Sequence, residues 1–170
     1  MSRKLGVIGA VLVLALLTGC GASGNPATGM NAALADYLQA QAAFGQMEAN
    51  ASESTITAAW IEDRATKLSR MRMAFEALRS QAQAVDFPET AGVRGQPAQA
   101  TVDEYLAATD AYITINEQVQ LEVDGCLGSG GRPFDCVMQV GSAALLGIYP
   151  DVLKRAQEAA LQLQAESSRA

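Results

Sequence analysis

The chain has 170 residues, 49% of them hydrophobic, and carries 12 Lys and Arg against 18 Asp and Glu for a formal charge of −6. That length supports one domain with its own core, and the acidic balance offers no basic footprint for nucleic acid. There is no histidine, which removes the commonest general base and the commonest transition-metal ligand. Aromatic residues are only 5%, and every long segment is rich in alanine with charges interspersed, which favours helix over sheet.

At the N-terminus, Arg3 and Lys4 precede an unbroken run of thirteen apolar or glycine residues, Leu5 to Leu17. As a helix this run would be about 20 Å long, against roughly 30 Å for a bilayer core, so it is short for a transmembrane span and has the shape of a signal peptide. It ends Leu17-Thr18-Gly19-Cys20. With the basic start and the apolar run, this tetrapeptide resembles the lipobox of bacterial lipoproteins: aliphatic, small, small, cysteine. The resemblance covers residues 1–20. It implies a diacylglyceryl group on the Cys20 thiol, cleavage before Cys20, and a further acyl chain such as palmitate on the new amine.

The chemistry suits a cysteine, because a thiolate is the best nucleophile a side chain offers for taking a lipid from a phospholipid. At about 0.8 kcal/mol per buried methylene, two or three acyl chains hold where one would be marginal. The competing reading, a signal anchor with an incidental cysteine, is disfavoured by the short run and by GASGNPATG after it, which carries no stop-transfer charge. Cleavage removes Arg3, Lys4 and no acid, taking the formal charge from −6 to −8. Gly21 is not aspartate, which by the rules of that family directs a lipoprotein to the outer of two membranes. Residues 20–28 are expected to form a lipidated tether; the coil from Gly21 to Thr28 spans on the order of 15 Å. The body is thus expected close to the bilayer, on the extracytoplasmic side of a membrane in the bacterial cell envelope.

Four helical segments follow. The first runs from Pro26 to Ala49, with Met30, Leu34, Tyr37, Leu38, Gln41, Phe44 and Met47 on one side. Asn50-Ala51-Ser52 ends it, and Ser52 is the expected N-cap of the second segment, Glu53 to Val85. That segment carries Ile61, Arg64, Leu68, Met71, Phe75, Leu78, Ala82 and Val85 at alternating steps of three and four, a heptad-like stripe. Asp86 to Pro97 is rich in proline and glycine and breaks the pattern. The third segment starts near Pro97 or at the capping box Thr101-Val102-Asp103-Glu104. Its stripe is Val102, Tyr105, Thr109, Tyr112, Asn116, Val119 and Val123, and Cys126 closes it. The fourth opens with Pro133 in its first turn and runs on past Pro150, which is expected to kink or split it. Residues 166–170 read as a frayed tail.

With Cys20 used for lipid, Cys126 and Cys136 remain, ten positions apart across the glycine-rich LGSGGRPFD. In an exported domain such a pair is expected to form a disulfide, contributing about 3 kcal/mol in the chain-entropy model. A redox pair or a metal site is the alternative. The C-x9-C spacing suits neither, and no histidine or third thiol completes a metal site. The expected fold is all-α: an antiparallel up-down four-helix bundle over residues 29–165, with this disulfide between the end of the third helix and the start of the fourth.

Asp103, Asp110, Glu117 and Asp124 recur every seven residues and so share one face of the third helix, about 10 Å apart. This acidic face is either a surface for a basic partner or a solvated flank, and its carboxylates are too far apart to share one metal ion. In an antiparallel hairpin Arg72 falls opposite Asp110 and Arg79 opposite Asp103, pairs that would set register at about 0–1 kcal/mol each. Arg64 and Asn116 occupy positions the heptad assigns to the core. They either fix register, with the guanidinium snorkelling to water, or face each other across a small polar pocket. Met71 and Met73 resemble an M-x-M copper signal, but positions two apart point about 200° away from each other on a helix. Gly128 to Gly131 lacks the Lys and Ser/Thr of a phosphate loop.

No serine, lysine or acid pair stands in a catalytic context, so no catalytic residue, metal or cofactor is assigned. The expected function is that of a membrane-anchored envelope lipoprotein whose helical body binds a partner, with the carriage of a small apolar ligand between helices as the alternative and enzyme activity a distant third. A carrier of that kind needs an enclosed apolar cavity of roughly 300 Å³.

Overall fold

The computed structural model describes residues 26–146 and 149–168, which form five helices and no strand. They are α1 (Pro26–Ala49), α2 (Ala58–Gln83), α3 (Gln99–Gly128), α4 (Pro133–Leu146) and α5 (Tyr149–Ser167). Cys20 and the whole signal-peptide reading lie outside the described residues. None of the described helices is long and apolar enough to cross a membrane.

Each helix buries the stripe its spacing dictates. On α1 these are Met30, Ala33, Leu34, Tyr37, Ala40, Phe44 and Met47; on α2 they are Ile61, Arg64, Leu68, Met71, Phe75, Leu78 and Ala82. Recurrence at three and four residues places them on one face, which must be removed from water. At 30 residues, α3 is the longest helix and the central column. It packs against α2, α4 and α5, while α1 packs on α2. The main core joins α1, α2, α3 and α5 around Tyr37, Phe44, Met71, Phe75 and Ile113. Tyr37 and Phe75 meet edge to face with ring centres 6.0 Å apart, the arrangement aromatic quadrupoles favour. A second, smaller cluster joins Ile61, Val123 and Cys136, flanked by Trp60, Val137 and Val140.

The structure corrects several expected boundaries. The fourth segment is split, one of the two outcomes expected of Pro150, so the described residues form five helices rather than four: α4 ends at Leu146 and α5 starts at Tyr149, with Pro150 in its first turn. A proline is tolerated there because the first N–H groups of a helix have no partner within it. Ser52 is not the cap of α2. Its N–H donates to Thr55 Oγ1 in a short turn at 2.8 Å, and Thr57, in extended conformation, caps α2 by accepting from the Trp60 N–H. Thr101 does not open α3. The N-cap is Ala98, which has no side-chain oxygen to offer. Residues 26–28, which the tether and the first helical segment were both expected to include, belong to α1. The expected frayed tail is helical through Ser167, and Glu166 in it is buried.

The disulfide between Cys126 and Cys136 is present, with Cα atoms 5.7 Å apart, and joins the end of α3 to the first turn of α4. Gly131 sits against it. A Cβ there would collide with both sulfurs and with the Cys126 carbonyl, to which the Gly131 N–H donates at 3.1 Å. Only glycine fits so close an approach.

Candidate functional site

Arg64 and Asn116, both expected on core positions, are brought together. Arg64 is 4% exposed and Asn116 3%, and Arg64 Nη2 donates to Asn116 Oδ1 at 3.3 Å. Two further partners complete the centre. Arg64 Nη1 donates to Gln120 Oε1 at 2.8 Å, and Nε donates to Glu48 Oε1 at 2.6 Å. The guanidinium carbon lies 5.2 Å from the centre of the Phe44 ring, within cation–π range. The amides are used in turn: Asn116 Nδ2 donates to the Tyr112 carbonyl, and Gln120 Nε2 donates to Asp124 Oδ1.

This centre links α1, α2 and α3. A buried guanidinium is tolerated only when its charge is matched and its donors are used, and Glu48, with its side chain 36% exposed, supplies the charge from the rim. The arrangement is a satisfied polar network rather than an open pocket. Sequence reasoning missed Gln120 and Glu48. Gln120 lies one turn beyond Asn116 on the same face, and that spacing was the available signal.

The acidic face is consumed largely from within. Arg72, half-buried on α2, grips Glu117 with both arms of its fork, Nε to Oε1 at 2.9 Å and Nη2 to Oε2 at 2.8 Å. It also donates to Asp110 and to Thr114 Oγ1. The Glu117 carboxylate, then Asp110, holds the guanidinium still more firmly protonated than usual. Asp103 accepts from Gln99 and Asp124 from Gln120. The expected partner of Asp103, Arg79, is exposed and forms no ion pair with it.

Among the described residues, no three Cys, Asp or Glu side chains are placed to hold a metal ion. Met71 is fully buried while Met73 is 64% exposed, so the two sulfurs do point apart. Two spaces bordered by the described residues bear on binding. One is an open groove of about 330 Å³ between α1 and α2, lined by Asp36, Gln39, Arg70, Met73, Ala74 and Ala77. The other is apolar, lies between Met30, Ala82, Val102 and Leu163, and holds about 20 Å³. That is room for about one water, far below the roughly 300 Å³ a small ligand needs. Neither space is lined by Arg64 or Asn116.

Compared with protein-family models, with curated proteins and with solved structures, the chain matches none of them.

Proposed function

We propose that the protein is a lipid-anchored component of a bacterial cell envelope, whose helical body acts as a binding module outside the cytosol. The observation that carries this reading is the passage from Arg3-Lys4 through Leu5–Leu17 to Leu17-Thr18-Gly19-Cys20, which is complete in charge, length, apolarity and cysteine. The disulfide supports it, since paired thiols persist in oxidising compartments. In this reading the five helices make an up-down bundle of four legs, with α4 and α5 together as the fourth.

The binding role draws support from the open groove between α1 and α2, where Met73 is 64% exposed. The carrier reading draws none from the 20 Å³ interior space. Fractionation of cells expressing the parent chain and Cys20→Ser tests the anchor. The parent is expected in the membrane fraction, shortened and released only by detergent, and Cys20→Ser is expected uncleaved. Equal cleavage and equal membrane retention of the two chains would contradict it. A photo-crosslinking residue at Met73 is expected to give one discrete adduct that the same residue at exposed Leu121 does not; identical adducts from both positions would contradict the groove.

A further inference from the structure

The chain between Cys20 and Pro26 is six residue steps, so the Cα atom of Cys20 lies no more than about 22 Å from that of Pro26 at the start of α1. The structure shows what surrounds that start. Gly29 abuts the side chain of Gln81, near the end of α2, so closely that a Cβ would overlap it. Met30 shares a small apolar space with Ala82 at the end of α2, Val102 at the start of α3 and Leu163 in α5. One end of the molecule is therefore built from the start of α1, the α2–α3 connection at residues 84–98, and the end of α5. The disulfide and Trp60 belong to the second cluster at the other end. Trp60 and Gln83 are about 35 Å apart along α2.

The α2–α3 connection is held firmly. Phe87 and Pro97 are buried, and the Gln99 N–H donates to the Pro88 carbonyl at 2.9 Å. Within this connection lies a tight turn, packed on the body through buried Gly95, in which the Gln96 N–H donates to the Val93 carbonyl at 3.2 Å. Its two central residues, Arg94 and Gly95, have φ of 55° and 74°. Glycine adopts that conformation readily, whereas arginine does so at a cost. The outer side of the turn thus presents Val93, 56% exposed, beside exposed Arg94. An apolar side chain next to a guanidinium matches the layered chemistry of a bilayer surface, acyl boundary below and phosphate above.

We propose that this end faces the bilayer that holds the lipid, with Val93 and Arg94 in contact with its phospholipid headgroup layer, and that the disulfide end points away from it. The proposal rests on the reading of Cys20 as lipidated. Asp86 and Glu89 are exposed on the same connection, so the contact is confined to the outer side of the turn rather than spread over a basic surface. Anchoring supplies the affinity, and the turn supplies orientation.

The test uses the full lipidated chain in vesicles of phosphatidylethanolamine and phosphatidylglycerol doped with brominated phosphatidylcholine, a short-range quencher of tryptophan. The native chain has a single tryptophan, Trp60. A Trp60→Phe, Val93→Trp chain moves that probe to the turn, and Trp60→Phe, Glu89→Trp serves if the first does not fold. Flotation with the vesicles is scored in parallel. Both chains are expected to float, with quenching several-fold greater at the turn than at Trp60. Flotation with equal quenching, or with Trp60 quenched more, overturns the orientation and leaves the anchor intact. Failure of the native chain to float overturns the anchor reading itself, and the orientation with it.

Discussion

Glu166, near the end of α5, accepts hydrogen bonds from the Ala98 N–H at 2.9 Å and from the Thr101 hydroxyl at 2.8 Å. The last helix thereby caps the first turn of α3. In a capping box an acid three residues into the helix reaches back to the cap N–H; here the acid arrives from another helix, and its charge is favoured by the positive end of the α3 dipole. Glu166→Ala should cost about 1–3 kcal/mol, because it leaves a buried donor unpaired. Glu166→Gln, which keeps an acceptor, should cost less. Urea-unfolding midpoints check the order. An unchanged midpoint for Glu166→Ala would show that the cap contributes nothing.

Arg64 is the second prediction. Arg64→Ala strands Asn116, Gln120 and Glu48 together and should cost about 3–5 kcal/mol. Replacing Arg64, Asn116 and Gln120 together by leucine removes the buried members, leaves only Glu48, whose side chain is 36% exposed and can turn to water, and should recover much of that loss. Denaturation of the single and triple variants measures both. A triple variant less stable than Arg64→Ala would overturn the account of a network that fixes register without adding net stability.

Arg72 makes more polar contacts than Arg64 but stands closer to water, with its side chain 22% exposed against 5% for Arg64. Its pairs with Asp110 and Glu117 should contribute about 1 kcal/mol or less each. Double-mutant cycles should show this coupling fading in about 1 M salt, where the screening length falls to roughly 3 Å. The Arg64–Glu48 coupling should persist there.

The buried tyrosines set a limit at high pH. Burial pushes Tyr105 from 10.0 up to about 12. Burial, then the nearby Tyr105 and Tyr112, pushes Tyr37 well above its ordinary value. A phenol whose folded pKa is raised keeps its full contribution below its unfolded value, so stability should hold to about pH 10. It should then fall as pH rises towards 12, by up to about 1.4 kcal/mol per pH unit for each buried tyrosine. Phenolate absorbance followed beside helicity should show the last tyrosines ionising together with unfolding. Full ionisation at pH 11 with helicity intact would contradict the burial.

Much of this architecture was legible in the residue spacing. The bounds of α1 follow from a proline at one end and Asn-Ala-Ser at the other. The heptad on α2 identified Arg64 as an interior arginine, and the pairing of α2 with α3 placed Arg72 by Asp110. Glu117 was recognised as part of the acidic face, but its pairing with Arg72 was not, because a forked guanidinium reaches two carboxylates one heptad apart, which point-by-point pairing does not anticipate. Glu166 was read as tail because its role depends on a contact with Ala98, 68 positions away; the only local hint was a helix start with no side chain able to cap it. Ser52 lost to Thr57 because Ser52 and Thr55 close a turn of their own, a competition in which short polar side chains commonly favour the turn.

Intact mass of the protein extracted from membranes tests the central claim most directly. The account predicts a chain that begins at Cys20, carries a diacylglyceryl group with or without an additional acyl chain, and is two hydrogens lighter for the Cys126–Cys136 bond. A mass equal to residues 1–170 with three unmodified thiols would contradict it.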